Sequence, residues 1–343
     1  MRGTRDLLGS ASAVMQLSGL PAISAPLPWQ GESWSRFNQQ LSDGTLPHAL
    51  LLAGLPYSGK ARLALALARL LLCQAPSGGL NCGKCHACDL GASGSHGDFR
   101  WLQPEEKSRT IKIDQVRELV NFATKTASFG ERKLIVLAPA DAMNTNAANA
   151  LLKSLEEPAP GTFLILVCDR LHGVPATIRS RCQIVKLPAP GLDMSRDWLD
   201  QATGSREESE RLLELADGMP LLAEAMYQRS DGEELIAVRI ACRGLVAGKL
   251  SIEQAASMLA EAPMDEVLVQ IGGAVRKALK GLGRPQLNGK QGRDAFVLLD
   301  EIGGVQRAVS GGTNPNRQLL TEVLLEKLQS VLGGAAADDS IRP

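Results

Sequence analysis

The chain has 343 residues, of which 44% are hydrophobic and 3% aromatic, and its 37 basic side chains equal its 37 acidic ones. This composition is that of an ordinary globular protein rather than a disordered or membrane one, and the length predicts two or three domains that need no disulfide support. A net charge of zero disfavours a protein that binds DNA alone, because Lys and Arg supply most of the nonspecific affinity for phosphate.

The N-terminal stretch is rich in Ser, Gly, Pro and Ala and lacks the basic-then-apolar order of a secretory signal. We expect a flexible extension over residues 1–24, or a start codon assigned too early with Met15 as the true start. No apolar run reaches the roughly eighteen residues of a membrane span. The sequence therefore predicts a cytoplasmic protein with no membrane contact.

Short apolar runs alternate with helical patterns in the first half of the chain. Three of these runs are predicted to be buried strands: residues 48–53, 133–138 and 163–167. A β-like segment over 110–113 precedes a helix for which Asp114 is the predicted N-cap. Strands that alternate with helices predict an α/β fold with a parallel sheet covered by helices on both faces.

The alternation ends at residues 186–191, where two prolines and a glycine predict a linker. The sequence beyond it is helical, first as a small group of helices and then as a longer block punctuated by glycines. Residues 334–343 are expected to form a flexible tail.

The loop between the first predicted strand and the next helix has the spacing of a phosphate-binding loop. Gly54 and Gly59 enclose it, and Lys60 opens the helix. In such a loop, glycines let backbone N–H groups converge on phosphate oxygens, and the lysine reaches the terminal phosphates. Ala61 replaces the Ser or Thr whose hydroxyl helps to hold Mg²⁺. The loop is therefore either a degenerate ATP site or only a tight strand-to-helix turn.

A second element of such sites is altered as well. An Asp-Glu pair at the end of the strand 133–138 would complete the Mg²⁺ shell and polarise the attacking water. The matching positions are Ala138 and Pro139, and the nearest carboxylate, Asp141, lies beyond the strand. The sequence therefore predicts no intrinsic ATP hydrolysis.

Four of the seven cysteines cluster in one short stretch of sequence. They are Cys73, Cys82, Cys85 and Cys88. Two successive C-x-x-C spacings let thiolates converge in a turn, and Cys73 at a helix end can supply a fourth tetrahedral ligand. Four protein ligands leave no open position, so the pattern predicts a structural Zn²⁺ in a module over 73–88. The alternatives are a ligand set that includes His86 and a redox motif.

Two further motifs stand out, one between the predicted strands 133–138 and 163–167 and one after the second of these strands. Residues 149–158 read NALLKSLEEP, and residues 176–182 read ATIRSRC, with Arg181 inside Ser-Arg-Cys. Together with the altered phosphate loop and the cysteine insert, these motifs resemble the clamp-loader branch of the AAA+ family. The resemblance is specific over about residues 28–190 and only architectural after them.

The resemblance implies a domain order. It implies a RecA-like AAA+ domain over 25–188 that carries the zinc module, a helical lid over 191–230 and a C-terminal helical collar over 231–333. It also implies partners, namely the gamma/tau and delta loader subunits, the β sliding clamp, and primer-template DNA held by the assembled complex.

The resemblance also assigns roles to single residues. Arg181 would reach the nucleotide site of a neighbouring subunit as an arginine finger, with Arg179 as a weaker candidate. Leu221 stands where the second-domain sensor arginine is expected, and Lys153 is a candidate to face DNA. Two alternatives to a non-hydrolysing loader subunit stay open: an autonomous nucleotide-dependent AAA+ enzyme, and a zinc-dependent DNA-binding module.

Overall fold

The computed structural model describes residues 17–105, 108, 110–228, 232–262, 264–310 and 316–332. Within this part of the chain, the structure divides between Ala225 and Met226 into two compact units. The expected tail over 334–343 and the alternative start at Met15 lie outside the described residues.

The first unit is built on one parallel sheet with the strand order β2-β3-β4-β1-β5. Its strands are β1 Ala49–Ala53, β2 Phe99–Leu102, β3 Lys133–Leu137, β4 Thr162–Cys168 and β5 Gln183–Lys186. In β1, Leu50 and Leu52 face one hydrophobic core, whereas Leu51 and Ala53 face another on the opposite side. Both faces are buried, so β1 is apolar throughout, as expected for a central parallel strand.

Six helices accompany this sheet. They are α1 Gly31–Ser42, α2 Lys60–Leu72, α3 His86–Ser93, α4 Ile113–Ala123, α5 Thr145–Glu156 and α6 Ala176–Arg179. Helices α1 and α2 pack on the face that contains Leu50, and α4, α5 and α6 cover the face that contains Leu51. The predicted α/β fold with a parallel sheet and two helical layers is confirmed.

Three small helices follow the sheet, and the last of them extends past the boundary at Ala225. They are α7 Leu192–Thr203, α8 Arg206–Leu215 and α9 Pro220–Gln228. The turn between α7 and α8 uses Gly204 in the left-handed region, at φ +68°, and Ser205 then caps α8 by accepting a hydrogen bond from the Glu208 N–H.

The second unit is helical in the part of the chain that the structure describes. Its helices are α10 Gly232–Val246, α11 Ile252–Met258, α12 Met264–Gly281, α13 Arg284–Leu287, α14 Lys290–Ser310 and α15 Arg317–Leu332. Their apolar faces form a single core, in which Leu245, Ile271, Leu298 and Leu325 are almost fully buried. None of the helices in the described ranges is both long enough and apolar enough to span a membrane.

Three features of the first unit differ from the sequence predictions. Residues 110–113 form only an isolated bridge from Ile111 to Met143, and Lys112 rather than Asp114 is the N-cap of α4. Strands β2 and β5 were not predicted. Both are short, four-residue edge strands with exposed positions, so neither has the apolar run that marks a central strand.

The end of the predicted N-terminal extension is also different from the expectation. Residues 20–24 lie against the first unit, where Leu20 is buried and its N–H donates to the Ala92 carbonyl. The guanidinium of Arg69 donates to the carbonyls of Pro21 and Ala22. Residues 20–24 read LPAIS, which is too short a run to show an apolar periodicity, and their placement comes from contacts with distant parts of the chain.

Candidate functional site

The predicted phosphate loop lies between β1 and α2, and its lysine is bound by the protein itself. The Lys60 ammonium lies 2.6 Å from an Asp169 carboxylate oxygen and donates to the Leu55 carbonyl at 2.5 Å. Its side chain is only 4% exposed. Burial raises the pKa of the Asp169 carboxyl, and the adjacent Lys60 ammonium acts in the opposite direction. The Ser58 hydroxyl lies 3.4 Å from the Lys60 nitrogen, so all three ammonium donors have a partner, and a phosphate could bind Lys60 only by displacing one of them.

The glycine at the end of the loop is enclosed as well. Gly59 has φ +83°, and a Cβ atom at this position would lie 2.3 Å from the Leu27 side chain and 2.9 Å from the Gln30 amide nitrogen. That amide donates to the carbonyls of Ser58 and Gly59, and the Trp29 indole N–H donates to the Ser58 carbonyl. The chain's own residues 27–30 therefore cover the side of the loop where Gly59 lies.

Side chains of the small helices also contact the loop region. The Trp29 ring packs edge-on against Trp198 of α7, with 5.5 Å between ring centroids. Arg62, in the first turn of α2, forms a 2.8 Å ion pair with Glu224 of α9. Helices α7 and α9 are thus joined to the loop and its helix by direct contacts between side chains.

The edge of the sheet beside the loop has no carboxylate at the two predicted positions. Ala138 follows β3 directly, and Pro139 follows Ala138. Asp141 is engaged elsewhere, because its carboxylate accepts hydrogen bonds from the Arg170 Nε at 3.1 Å and the Asp169 N–H at 3.3 Å. A methyl group and a pyrrolidine ring cannot bind Mg²⁺ or accept a proton.

The four clustered cysteines converge in space. The Sγ atoms of Cys73, Cys82, Cys85 and Cys88 all lie within 4.8 Å of one another. Three of the separations are 3.7, 3.9 and 4.0 Å. A tetrahedral zinc with Zn–S bonds of about 2.3 Å requires sulfur atoms about 3.8 Å apart. The cluster is therefore compatible with a structural metal site.

The contacts do not favour the alternative ligand set that includes His86. The His86 ring packs against Phe129, with 5.8 Å between centroids, and is not among the grouped ligand atoms. All four cysteines are free thiols. Burial acts to raise the pKa of Cys85, but hydrogen bonds from the backbone of Gln74 and Cys88 and with the thiols of Cys88 and Cys82 together lower that pKa to about 6. A thiol with this pKa is mostly ionised at pH 7, as a metal ligand must be.

The cysteine module also holds the N-terminal segment in place. The buried Asn81 side chain accepts a hydrogen bond from the Ser24 N–H and donates to the Ala22 carbonyl, both at 2.8 Å. The same amide donates to the Cys88 sulfur at 3.3 Å. Nothing in the sequence identified Asn81, because a single asparagine in a loop has no distinctive pattern.

The predicted finger Arg181 is half-exposed and lies between α6 and β5. Its Nε donates to a Glu156 carboxylate oxygen at 2.7 Å, and its Nη2 pairs with the same oxygen. Its Nη1 donates to the Thr177 carbonyl at 3.0 Å and to the Ser180 hydroxyl at 3.3 Å. Glu156 is a residue that the sequence reasoning did not single out, although it lies within the NALLKSLEEP motif.

Arg181 and the phosphate loop lie at opposite ends of the strands of the sheet. Arg181 precedes β5, whereas the loop follows β1, and these two strands are parallel neighbours. The five residues of β1 separate these two ends by about 16 Å. Arg181 therefore cannot serve the phosphate loop of its own chain.

The other residues singled out from the sequence have simpler environments. Leu221 is fully buried, and its side chain lies 3.3 Å from the position that a Cβ on Gly59 would take. Lys153 is exposed on α5. Arg179 ends α6 and is partly buried. Asp169 was missed, although its place directly after the apolar run of β4 is a position where functional side chains are common.

The strand order, the phosphate-type loop after β1 and the helices on both faces define an AAA+-like protein, here with a closed loop and without the carboxylate pair. A family model described as DNA polymerase III, delta subunit, matches residues 29–191. The DNA polymerase III subunit delta' of Pseudomonas aeruginosa is 36% identical over 324 residues, which cover 89% of this chain and 98% of the relative. The chain belongs to the DNA polymerase III delta-prime family.

One further relative and one solved structure are similar to this chain. The DNA polymerase III subunit delta' of Escherichia coli is 30% identical over 322 residues, which cover 89% of this chain and 96% of the relative. Among solved structures, a DNA polymerase III gamma subunit-related protein of Thermotoga maritima has 20% identity and a TM-score of 0.49, with 88% of this chain and 99% of that chain covered.

Proposed function

We propose that this chain is a non-hydrolysing subunit of the DNA polymerase III clamp loader, and that Arg181 completes the ATP site of a neighbouring subunit. The observation that carries the proposal is the position of Arg181. Its guanidinium is half-exposed and lies at the ends of the strands opposite the closed loop of its own chain. A planar cation against a γ-phosphate stabilises the charge that develops in phosphoryl transfer, and such a finger contributes roughly 10³–10⁵ in rate.

The same geometry supports the absence of hydrolysis by the chain itself. Lys60 is neutralised by Asp169, and the positions of the metal-binding carboxylates hold Ala138 and Pro139. Bound ATP would lack both the lysine and the Mg²⁺ shell that phosphoryl transfer requires. The first unit would then act as a platform for the neighbour's chemistry, in the cytoplasm where chromosomal DNA is copied.

The proposed partners follow from family membership. The gamma/tau and delta subunits would contact this chain in a ring, and the helices from α10 onward would contribute to a shared collar. The assembled ring would hold primer-template DNA and place the β sliding clamp on it. A net charge of zero is consistent with DNA binding that is shared among subunits.

Zn²⁺ is the metal that fits the cysteine module. Cys73, Cys82, Cys85 and Cys88 would be its four ligands and would close its coordination sphere. With no position open for water or substrate, the ion would supply stability rather than catalysis. It would fix the module against which residues 20–24 lie.

The test of the proposed function is a reconstituted loader. The purified chain alone should show no ATP turnover, and adding it to gamma/tau and delta should raise their DNA-stimulated ATPase. Arg181→Ala should remove most of that gain, whereas Arg179→Ala should remove less. Turnover by the isolated chain that depended on Lys60 would instead support an autonomous enzyme.

A further inference from the structure

The carboxylate that holds Arg181 is at an unusual place on its helix. Glu156 is the last residue of α5, where the negative end of the helix dipole disfavours an anionic side chain. Its side chain is 48% exposed, so burial does not explain the position. The contact that offsets this cost is the ion pair with Arg181.

The hydrogen bonds of Arg181 leave little of its guanidinium available. This group has five N–H donors. Nε and one Nη2 donor are directed at Glu156, and the two Nη1 donors are directed at Thr177 and Ser180. A phosphate prefers two parallel N–H donors of an arginine. Arg181 must therefore give up at least one partner before it can bind a neighbour's phosphate in this way.

Glu156 is the partner that a phosphate would most directly replace. It is an anion bound to two donors on the same side of the guanidinium, and a phosphate is an anion that seeks the same pair of donors. The pair is partly exposed on both sides, so solvent screens it and its strength is modest. An exchange of Glu156 for phosphate therefore requires no buried charge to be uncovered.

We propose that Glu156 is a positioning residue that holds Arg181 away from the neighbour's nucleotide until a γ-phosphate competes for the guanidinium. This inference rests on the proposed role of Arg181 in trans. The competition makes engagement of the finger depend on the nucleotide and on the closure of the ring around DNA. Glu156 thereby lowers ATP turnover at subsaturating ATP when no DNA is bound.

The test is steady-state ATPase of the reconstituted loader, containing full-length chain, with and without primed DNA and over a range of ATP concentrations. Glu156→Gln keeps the length of the side chain and removes its charge. Because a partly exposed pair is modest in strength, we expect the KM for ATP without DNA to fall by about two- to fivefold. The kcat with DNA should change little, because Arg181 is then already engaged.

Glu157→Gln is the matched control. Glu157 is the next residue, is exposed, and forms the C-cap of the same helix. This variant should retain the wild-type KM and the wild-type stimulation by DNA. Because both glutamates are exposed, both variants should also unfold at the same urea concentration, so a change in KM confined to Glu156→Gln is not a folding effect.

Arg181→Ala in the same assay separates the two proposals. If Arg181→Ala leaves the ATPase unchanged, the role in trans is wrong. If Arg181→Ala lowers the ATPase but Glu156→Gln leaves the KM unchanged or raises it, only the role of Glu156 is overturned. If both proposed roles are correct, adding Glu156→Gln to Arg181→Ala should cause no further change in the ATPase.

Discussion

Replacing Lys60 by methionine separates a structural role of this lysine from a nucleotide-binding one. Methionine retains the apolar length of the side chain and removes the ammonium, which leaves Asp169 without its counter-ion. Loss of one partner of a buried pair costs about 3–5 kcal/mol. Because Asp169 keeps 16% of its side chain exposed, we expect a loss near the lower end, about 3 kcal/mol in the free energy of unfolding.

Urea unfolding, monitored by tryptophan fluorescence, measures this loss for the first unit. All four tryptophans precede residue 226, so their emission reports on the first unit alone. Asp169→Asn should also destabilise the unit, because it leaves the buried ammonium unpaired. The double variant should lose less than the sum of the two single losses, by about 1–3 kcal/mol, as expected for directly coupled groups.

The opposite result would refute the closed loop. If Lys60→Met leaves the unfolding transition in place, the pair with Asp169 contributes nothing and Lys60 is available to a ligand. If nucleotide also raises the wild-type stability and not that of Lys60→Met, the loop binds nucleotide. Arg117→Met is a suitable control, because its ion pair with Asp114 is exposed on both sides and should be worth less than about 1 kcal/mol.

Three further predictions concern the cysteine module and its surroundings. In metal-free folded protein at pH 7, an alkylating reagent should modify Cys85 first, because the pKa of its thiol is about 6. Cys168 should stay unmodified, because burial raises the pKa of its thiol to about 12. Mass spectrometry should also show that one equivalent of Zn²⁺ protects Cys85 from modification. Asn81→Ala should lower the free energy of unfolding by about 1–3 kcal/mol and speed amide hydrogen exchange at Ser24, whose N–H loses its acceptor. Unchanged exchange at Ser24 would show that Asn81 does not hold the N-terminal segment in place. Burial lowers the pKa of His96 below its usual 6.5, so the unfolded chain takes up the proton first and stability should fall as pH drops below about 6.5; His96→Gln should flatten that fall.

The sequence alone was sufficient for features that rest on local pattern. The apolar run of β1 and the glycine spacing after it predicted a strand, a loop and a helix in the places where they occur, because apolar runs and Gly constraints act over a few residues. The short spacings of Cys82, Cys85 and Cys88 likewise predicted that their thiols converge. Ala138 and Pro139 excluded a metal-binding pair by their chemistry, whatever the fold.

Contacts between distant residues were decided only by the tertiary structure. Lys60 meets Asp169 because β1 and β4 are neighbours in the sheet, and no pattern in the sequence reports that pairing. Arg181 meets Glu156 across twenty-five positions for a similar reason, since α5 and α6 pack on the same face. Whether a charged side chain is available to a ligand depends on which opposite charge the fold brings beside it, and that is a property of the packed chain.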